Sequence, residues 1–319
     1  YISVDGVLFD KLMTKLIQYP MGKTDSEYCI PDTVTVIASY AFFECGNLQK
    51  ITIPDSVVSI GARAFESTAH YNDDSNWQDG ALYIDNHLIE FSSYRATSND
   101  YVIKEGTKTI ADEAFLAQSG INSVAIPDSV INIGYDAFVY CDLININVSE
   151  KNEYYLSLDG VLFNKSGTEL IQYPTMKNQD LYVVPDGVET ICDYAFFYCT
   201  NIVTVYLPET VASIGAYSFA CCSGLASVFI PETVTEIGEK AFNSCDNLII
   251  CGCKFSYAES YAAENDVSFF IVFDSTNQGG NNVWESVSVD ETGIYDVFVV
   301  MGTNIDSDSE NATPAFAIY

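Results

Sequence analysis

The residues of this chain best equipped for chemistry are its carboxylates, and they recur with the regularity of a repeat. Asp32, Asp55, Asp128, Asp186, Glu209 and Glu232 each follow a proline, and Glu105 follows Lys104 at the equivalent point. On stacked strands such groups would lie about 5 Å apart. Carboxylate pairs serve glycoside cleavage and divalent-ion binding. An acid in every repeat singles out no pair, however, and a solvated turn residue explains the series as well. Like charges so stacked repel unless water, salt or cations screen them. Asp306-Ser307-Asp308-Ser309-Glu310 resembles part of a calcium loop but lacks its glycine and distal glutamate.

Thiols are the second candidates, with ten cysteines in the chain. Cys45, Cys141, Cys199, Cys222 and Cys245 share one place, three residues after a repeated phenylalanine. A periodic thiol on one face reads as a small apolar filler, expected to stay reduced. Cys251 and Cys253 lie 23 residues beyond Val228 and Ile230, which predicts that they too face inward. Neither Cys221-Cys222 nor Cys251-Gly252-Cys253 has zinc-knuckle spacing, and the two histidines, His70 and His87, are far from both. With no nucleophile elbow, phosphate-cradling glycine loop or histidine metal motif, the expectation is a non-catalytic protein without a cofactor.

Charge narrows the partners. Against 44 acidic residues stand 13 basic ones, a formal net charge of −31 that repels nucleic acid and anionic lipid. No apolar run approaches the roughly 18 residues of a membrane-spanning helix. The 319 residues, 48% of them apolar, suffice for one long domain or two smaller ones. The chain opens at Tyr1 without a methionine, which fits removal of a leader or a trimmed chain alike.

What must position these groups is a phrase about 23 residues long. Its Ala-Phe step stands at Ala41-Phe42, Ala64-Phe65, Ala114-Phe115, Ala137-Phe138, Ala195-Phe196, Ser218-Phe219 and Ala241-Phe242. In one full unit Leu225, Val228 and Ile230 supply the inward side of a strand, and Pro231 ends it because proline cannot extend a ladder. Two residues past the proline stands Thr33, Ser56, Ser129, Thr210 or Thr233, a hydroxyl expected to bond the turn's own backbone and to form a polar ladder. Valine, isoleucine and the Ala-Phe step then return the chain, with phenylalanine filling the interior. Each coil can bury its apolar side only against the next, so the pattern predicts a solenoid.

The phrase Ile-Pro-Asp-Ser-Val-x-x-Ile-Gly-x-x-Ala-Phe, seen at Ile53 to Phe65 and Ile126 to Phe138, resembles the leucine-rich repeats of the BspA-like (Treponema pallidum-type) family. Matching phrases run from about Ile30 to about Cys253. The resemblance implies a curved, right-handed, mainly β solenoid and a cell-surface or secreted protein that adheres to or binds other proteins. It carries over no catalytic residue.

A larger period is superimposed. Asp5-Gly6, Asp79-Gly80 and Asp159-Gly160 each stand between apolar alternations, a strong hairpin signal, and open blocks running through Leu16-Ile17, Leu88-Ile89 and Leu170-Ile171. This predicts three modules, about 1–76, 77–150 and 151–250: a hairpin coil followed by two repeats, two again, and three. Thr68 and Gln118 replace the ladder cysteine, and Tyr71-Asn72-Asp73-Asp74 breaks a strand, which predicts a loop. The alanine- and glutamate-rich stretch Phe255 to Asn265 predicts a helical cap within 251–273. Asn277 to Asn282 has linker composition, and Val283 to Val289 and Ile294 to Met301 alternate like strands, so 274–319 is read as a linker and β-rich segment, the start of a further domain or strands packed on the solenoid.

The register places one outward row at Cys29, Thr52, Val102, Ala125, Asn147, Val183, Tyr206, Phe229 and Gly252, with Leu181 and Ile250 in the row beside it. The first two modules are mostly polar there, at Lys50, Thr52, Ser123, Asn145 and Asn147. The third turns apolar. Leu181, Val183, Thr204, Tyr206, Ser227 and Phe229 are therefore the candidate binding residues, since exposed aromatic patches mark contact sites. Expected occupants are a host or neighbouring-cell protein, a glycan, a second copy, or the chain's own C-terminal segment. A structural spacer displaying another domain is the third class of role.

Overall fold

The computed structural model describes residues 1–273 as a β-solenoid of about 11 turns with few helices. Each regular coil carries two strands. The longer line comprises Glu27–Cys29 with Lys50–Thr52, then Asp100–Val102, Ser123–Ile126 and Asn145–Val148. It resumes as Leu181–Val183, Thr204–Tyr206, Ser227–Ile230, Ile249–Cys253 and Ser268–Phe273, every neighbour parallel. Two-residue strands such as Val36–Ile37, Ser59–Ile60 and Thr190–Ile191 form the second line.

Each run of short strands starts from a hairpin. In the first, Ile2–Val4 pairs antiparallel with Val7–Phe9, and Asp5 and Gly6 sit at φ 49° and 83° in the turn. Two successive left-handed residues match the twist of a tight hairpin, and Asp-Gly tolerates that conformation best. Asp79-Gly80 and Asp159-Gly160 repeat it. The last strand of each hairpin then turns parallel and pairs with the first short strand, through Leu16 with Ile37, Leu88 with Ile110, and Leu170 with Ile191. The runs that follow hold two, two and three short strands.

The interior is a column of rings. Phe219 is fully buried and lies 4.7 Å from Phe196 and 5.1 Å from Phe242, stacked on both. Tyr19, Phe91 and Tyr173 start each module's column from the hairpin coil, a role the Ala-Phe count does not detect. Below the rings run the thiols: Sγ of Cys222 and of Cys245 donates to the carbonyls of Phe196 and Phe219 at 2.9 and 3.0 Å. All ten cysteines are free thiols.

The hydroxyl ladder forms, but between coils rather than within a turn. Ser56, Ser129, Thr210 and Thr233 donate to the carbonyls of Val34, Thr107, Val188 and Val211 in the preceding coil, at 2.7–2.8 Å. The glycine of the Ile-Gly step allows that closeness: a Cβ on Gly215 would stand 2.4 Å from the Asp193 nitrogen.

Each coil also bends through two left-handed residues flanking the Ala-Phe step, for example Tyr40 and Glu44, Tyr194 and Tyr198, and Tyr217 and Cys221. None of the fourteen such positions is glycine. Their strain is held by bonds to the next coil, since the N–H groups of Tyr40, Phe42 and Glu44 donate to the carbonyls of Ala62, Ala64 and Glu66.

Three expectations need correction. The stretch around Tyr71 is not simply a loop: Ala69–Asn72 is a short helix followed by a 3-10 turn, Asp74–Asn76. Thr68, in the thiol's place, caps that helix by accepting from the Tyr71 N–H at 3.1 Å, so the departure from cysteine and the lost strand have one cause. The cap is helix plus strand: Tyr257–Glu264 buries Ala258, Tyr261 and Ala262, and Ser268–Phe273 then extends the long sheet.

The third correction concerns register. Leu248 and Ile250 are two residues apart where Leu225 and Val228 are three apart, so the inward line continues through Ile250 and the outward row through Cys251, opposite Phe229. Ile250 is fully buried, not outward; Gly252 opposes Ile230, and Cys253 opposes Phe273. Cys251 is still buried, between Phe229 and Phe270 in its row, and burial pushes its thiol up to about 11.

Candidate interaction surface

The longer strands of the third module alternate cleanly. Tyr182, Val205, Val228 and Ile250 point into the core and are buried. Between them, Leu181, Thr204 and Ser227 form one outward row and Val183, Tyr206 and Phe229 the other, all six half-buried. Neighbours about 4.8 Å apart along a sheet cover each other's flanks, which accounts for half-burial without a place in the core. The Tyr206 and Phe229 rings stack at 5.3 Å, and the Thr204 and Ser227 hydroxyls share a hydrogen bond of 3.1 Å. Neither ring belongs to a core cluster, so the alternation is assigned to the correct face.

Sequence reasoning missed the continuation of this surface beyond Phe229. Ile249 extends the first row, Cys251 and Phe270 the second, with Ile249 38% and Phe270 43% exposed. The equivalent row in the second module is Val102, Ala125 and Asn147, without a ring, with Val102 and Asn147 exposed and Ala125 half-buried. Coverage of the strip by 274–319, and the linker, strand and calcium-loop readings of that segment, lie outside the described residues.

The acidic series is solvated. Asp32, Asp55, Glu105, Asp128, Asp186, Glu209 and Glu232 are all exposed. Among the described residues no group of three or more ligating side chains converges as a metal site would require. Perturbed carboxyls occur elsewhere: burial raises Glu90, Asp112 and, to about 7, Asp136. No helix among the described residues is long and apolar enough to cross a membrane.

Two strands per coil, a ring column and stacked parallel rows define a leucine-rich repeat solenoid. The chain belongs to the BspA type leucine-rich repeat region family, with six copies matched over residues 24–144, 87–167 and 172–285. Among solved structures it is similar to a leucine-rich repeat protein from Eubacterium ventriosum, at 25% identity and a TM-score of 0.52, over 76% of this chain and 66% of that one. The pneumococcal vaccine antigen PcpA matches at 20% identity and a TM-score of 0.41, over 75% of this chain and 65% of that one. A leucine rich cell surface protein from Faecalibacterium prausnitzii matches at 26% identity and a TM-score of 0.43, over 75% of this chain and 76% of that one. The chain thus spans just under two thirds of the first two. No curated protein shows a significant match.

Proposed function

We propose that this chain is a non-catalytic binding protein of the cell surface or extracellular space, and that it recognises a protein through the outward rows Leu181, Thr204, Ser227 and Val183, Tyr206, Phe229. The stacked pair Tyr206 and Phe229 carries the reading. Aromatic side chains held rigid by a sheet lose little entropy on binding and dominate contact energies where they occur. Family membership supports a recognition scaffold, and the surface location follows the proteins that the repeat resembles.

The test is to present the intact chain to arrayed extracellular proteins and to a glycan array, beside a chain carrying Tyr206→Ser and Phe229→Ser. Protein binding that the double change abolishes supports the reading. Binding confined to glycans replaces the protein partner with a carbohydrate, and concentration-dependent dimerisation abolished by the same change makes the strip a self-association surface.

A further inference from the structure

The short-strand line is interrupted between modules, and the two interruptions differ. At the first, coils close on each other: the Asp112 N–H donates to the Ile60 carbonyl at 2.9 Å. At the second, Asp193 follows Ile191-Cys192 as Asp112 follows Ile110-Ala111, yet among the described residues no matching bond joins it to Ile133. A cleft of about 650 Å³ opens there instead.

Ile133 of the second module and Ile171 of the third give it aliphatic wall, Thr190 and Ser213 add hydroxyls, and its acids are Asp136, Asp193 and Glu236. Asp193 accepts from the Ala216 N–H at 2.6 Å, and its charge helps to raise the Tyr135 hydroxyl beside it. Asp136 is half-buried, and its carboxylate receives no hydrogen bond among the described residues, although its backbone carbonyl accepts from the Val139 N–H at 3.2 Å. No Lys, Arg or His lines the cleft. Burial, then Glu113, Asp193 and Asp112, push the Asp136 carboxyl up to about 7, the mark of a site that lacks a positive charge. A donor-free carboxylate beside a second acid, above an aliphatic wall, complements a cation on an apolar stem. Among the described residues no three ligating side chains converge, which disfavours a bare metal ion.

We propose that this junction cleft binds an alkylammonium group, from a lysine side chain or a free polyamine, with the ammonium at Asp136 and Asp193 and the stem along Ile133 and Ile171. The site is separate from the outward strip and does not depend on its role.

The test uses the full chain, titrated calorimetrically and by NMR with cadaverine, with acetyl-Gly-Lys-Gly-amide, and with the norleucine analogue as neutral control. Expected is a dissociation constant of about 1 mM or tighter for an amine, with shifts centred on Ile133, Asp136 and Asp193 in the unaltered protein. The norleucine peptide and the isosteric Asp136→Asn chain should bind at least about tenfold more weakly. Affinity should fall between about pH 8 and about pH 5.5 as Asp136 takes up a proton among Asp112, Glu113, Asp193, Glu236, Tyr135 and Tyr194. Binding of the peptide alone assigns the lysine source, and binding of cadaverine assigns the free amine. The Tyr206→Ser/Phe229→Ser chain should bind the amine unchanged. Absence of amine binding, equal binding of the norleucine peptide, shifts centred elsewhere, or calcium binding in its place would overturn the proposal.

Discussion

The rings of Tyr206 and Phe229 stack at 5.3 Å on the outward side of two strands whose next residues inward, Val205 and Val228, are fully buried. One alternation thus builds the core and the surface together. A change that disturbed the register would expose valines and bury the pair, so the surface is as well determined as the interior beneath it.

Interior packing gives the first expected outcome. Phe219→Ala should cost about 3–5 kcal/mol in chemical denaturation, because its ring is held between Phe196 and Phe242 in a coil flanked on both sides. Glu232→Gln, at an exposed turn, should stay within about 0.5 kcal/mol. A near-neutral Phe219→Ala would contradict the ring column.

Thiol chemistry gives the second. Cys29 is exposed and should react with a thiol reagent at once, whereas the buried Cys199 should react only in denaturant and the half-buried Cys245 slowly. Burial pushes the Cys245 thiol up to about 12 and raises Cys199 well above its usual range, which suppresses the reactive thiolate. Rapid native labelling of either, or a disulfide found between ladder cysteines, would contradict the filler role.

Backbone strain gives the third. Glu44 is exposed at φ 57°, a conformation costly for a side chain and free for glycine. Glu44→Gly should therefore leave stability unchanged or raise it by up to about 1 kcal/mol, the reverse of glycine's effect within a strand. A clear loss would mean that the Glu44 side chain supports the coil.

Proton linkage gives the fourth. Asp136 is raised from 3.8 to about 7, so between those values the folded chain holds more protons and stability falls as pH rises. His87 is buried and lowered from 6.5 to about 4, chiefly by burial and next by Lys108, so there the unfolded chain holds more protons and stability falls as pH drops. The two oppose each other between about pH 4 and 6.5. Asp136→Asn should leave the His87 contribution unopposed and steepen the loss of stability toward acid, measured as melting temperature against pH. An unchanged profile would contradict the crowding at Asp136.

Much of this was legible because solenoid packing is local. The Asp-Gly turns, the ring positions Phe42 to Phe242 and the outward placement of Tyr206 and Phe229 follow from period and alternation alone. The reading slipped where one residue was missing between Leu248 and Ile250, since a strand's period of two turns a single deletion into a change of face. It also treated Ser56 and Thr210 as turn residues, because a hydroxyl's bond to the neighbouring coil leaves the same sequence signal as a bond within its own turn. The junction cleft was not legible: it arises from a bond that Asp112 makes and Asp193 does not, although both follow the same phrase.

The central claim rests on the strip, and the most direct measurement is the affinity of the intact chain for a protein captured from an extracellular array, compared with the Tyr206→Ser/Phe229→Ser chain at matched thermal stability. Loss of about 2 kcal/mol or more, roughly thirtyfold, is expected if the two rings anchor the partner. Unchanged affinity in a folded double variant would contradict the account and move recognition to another face.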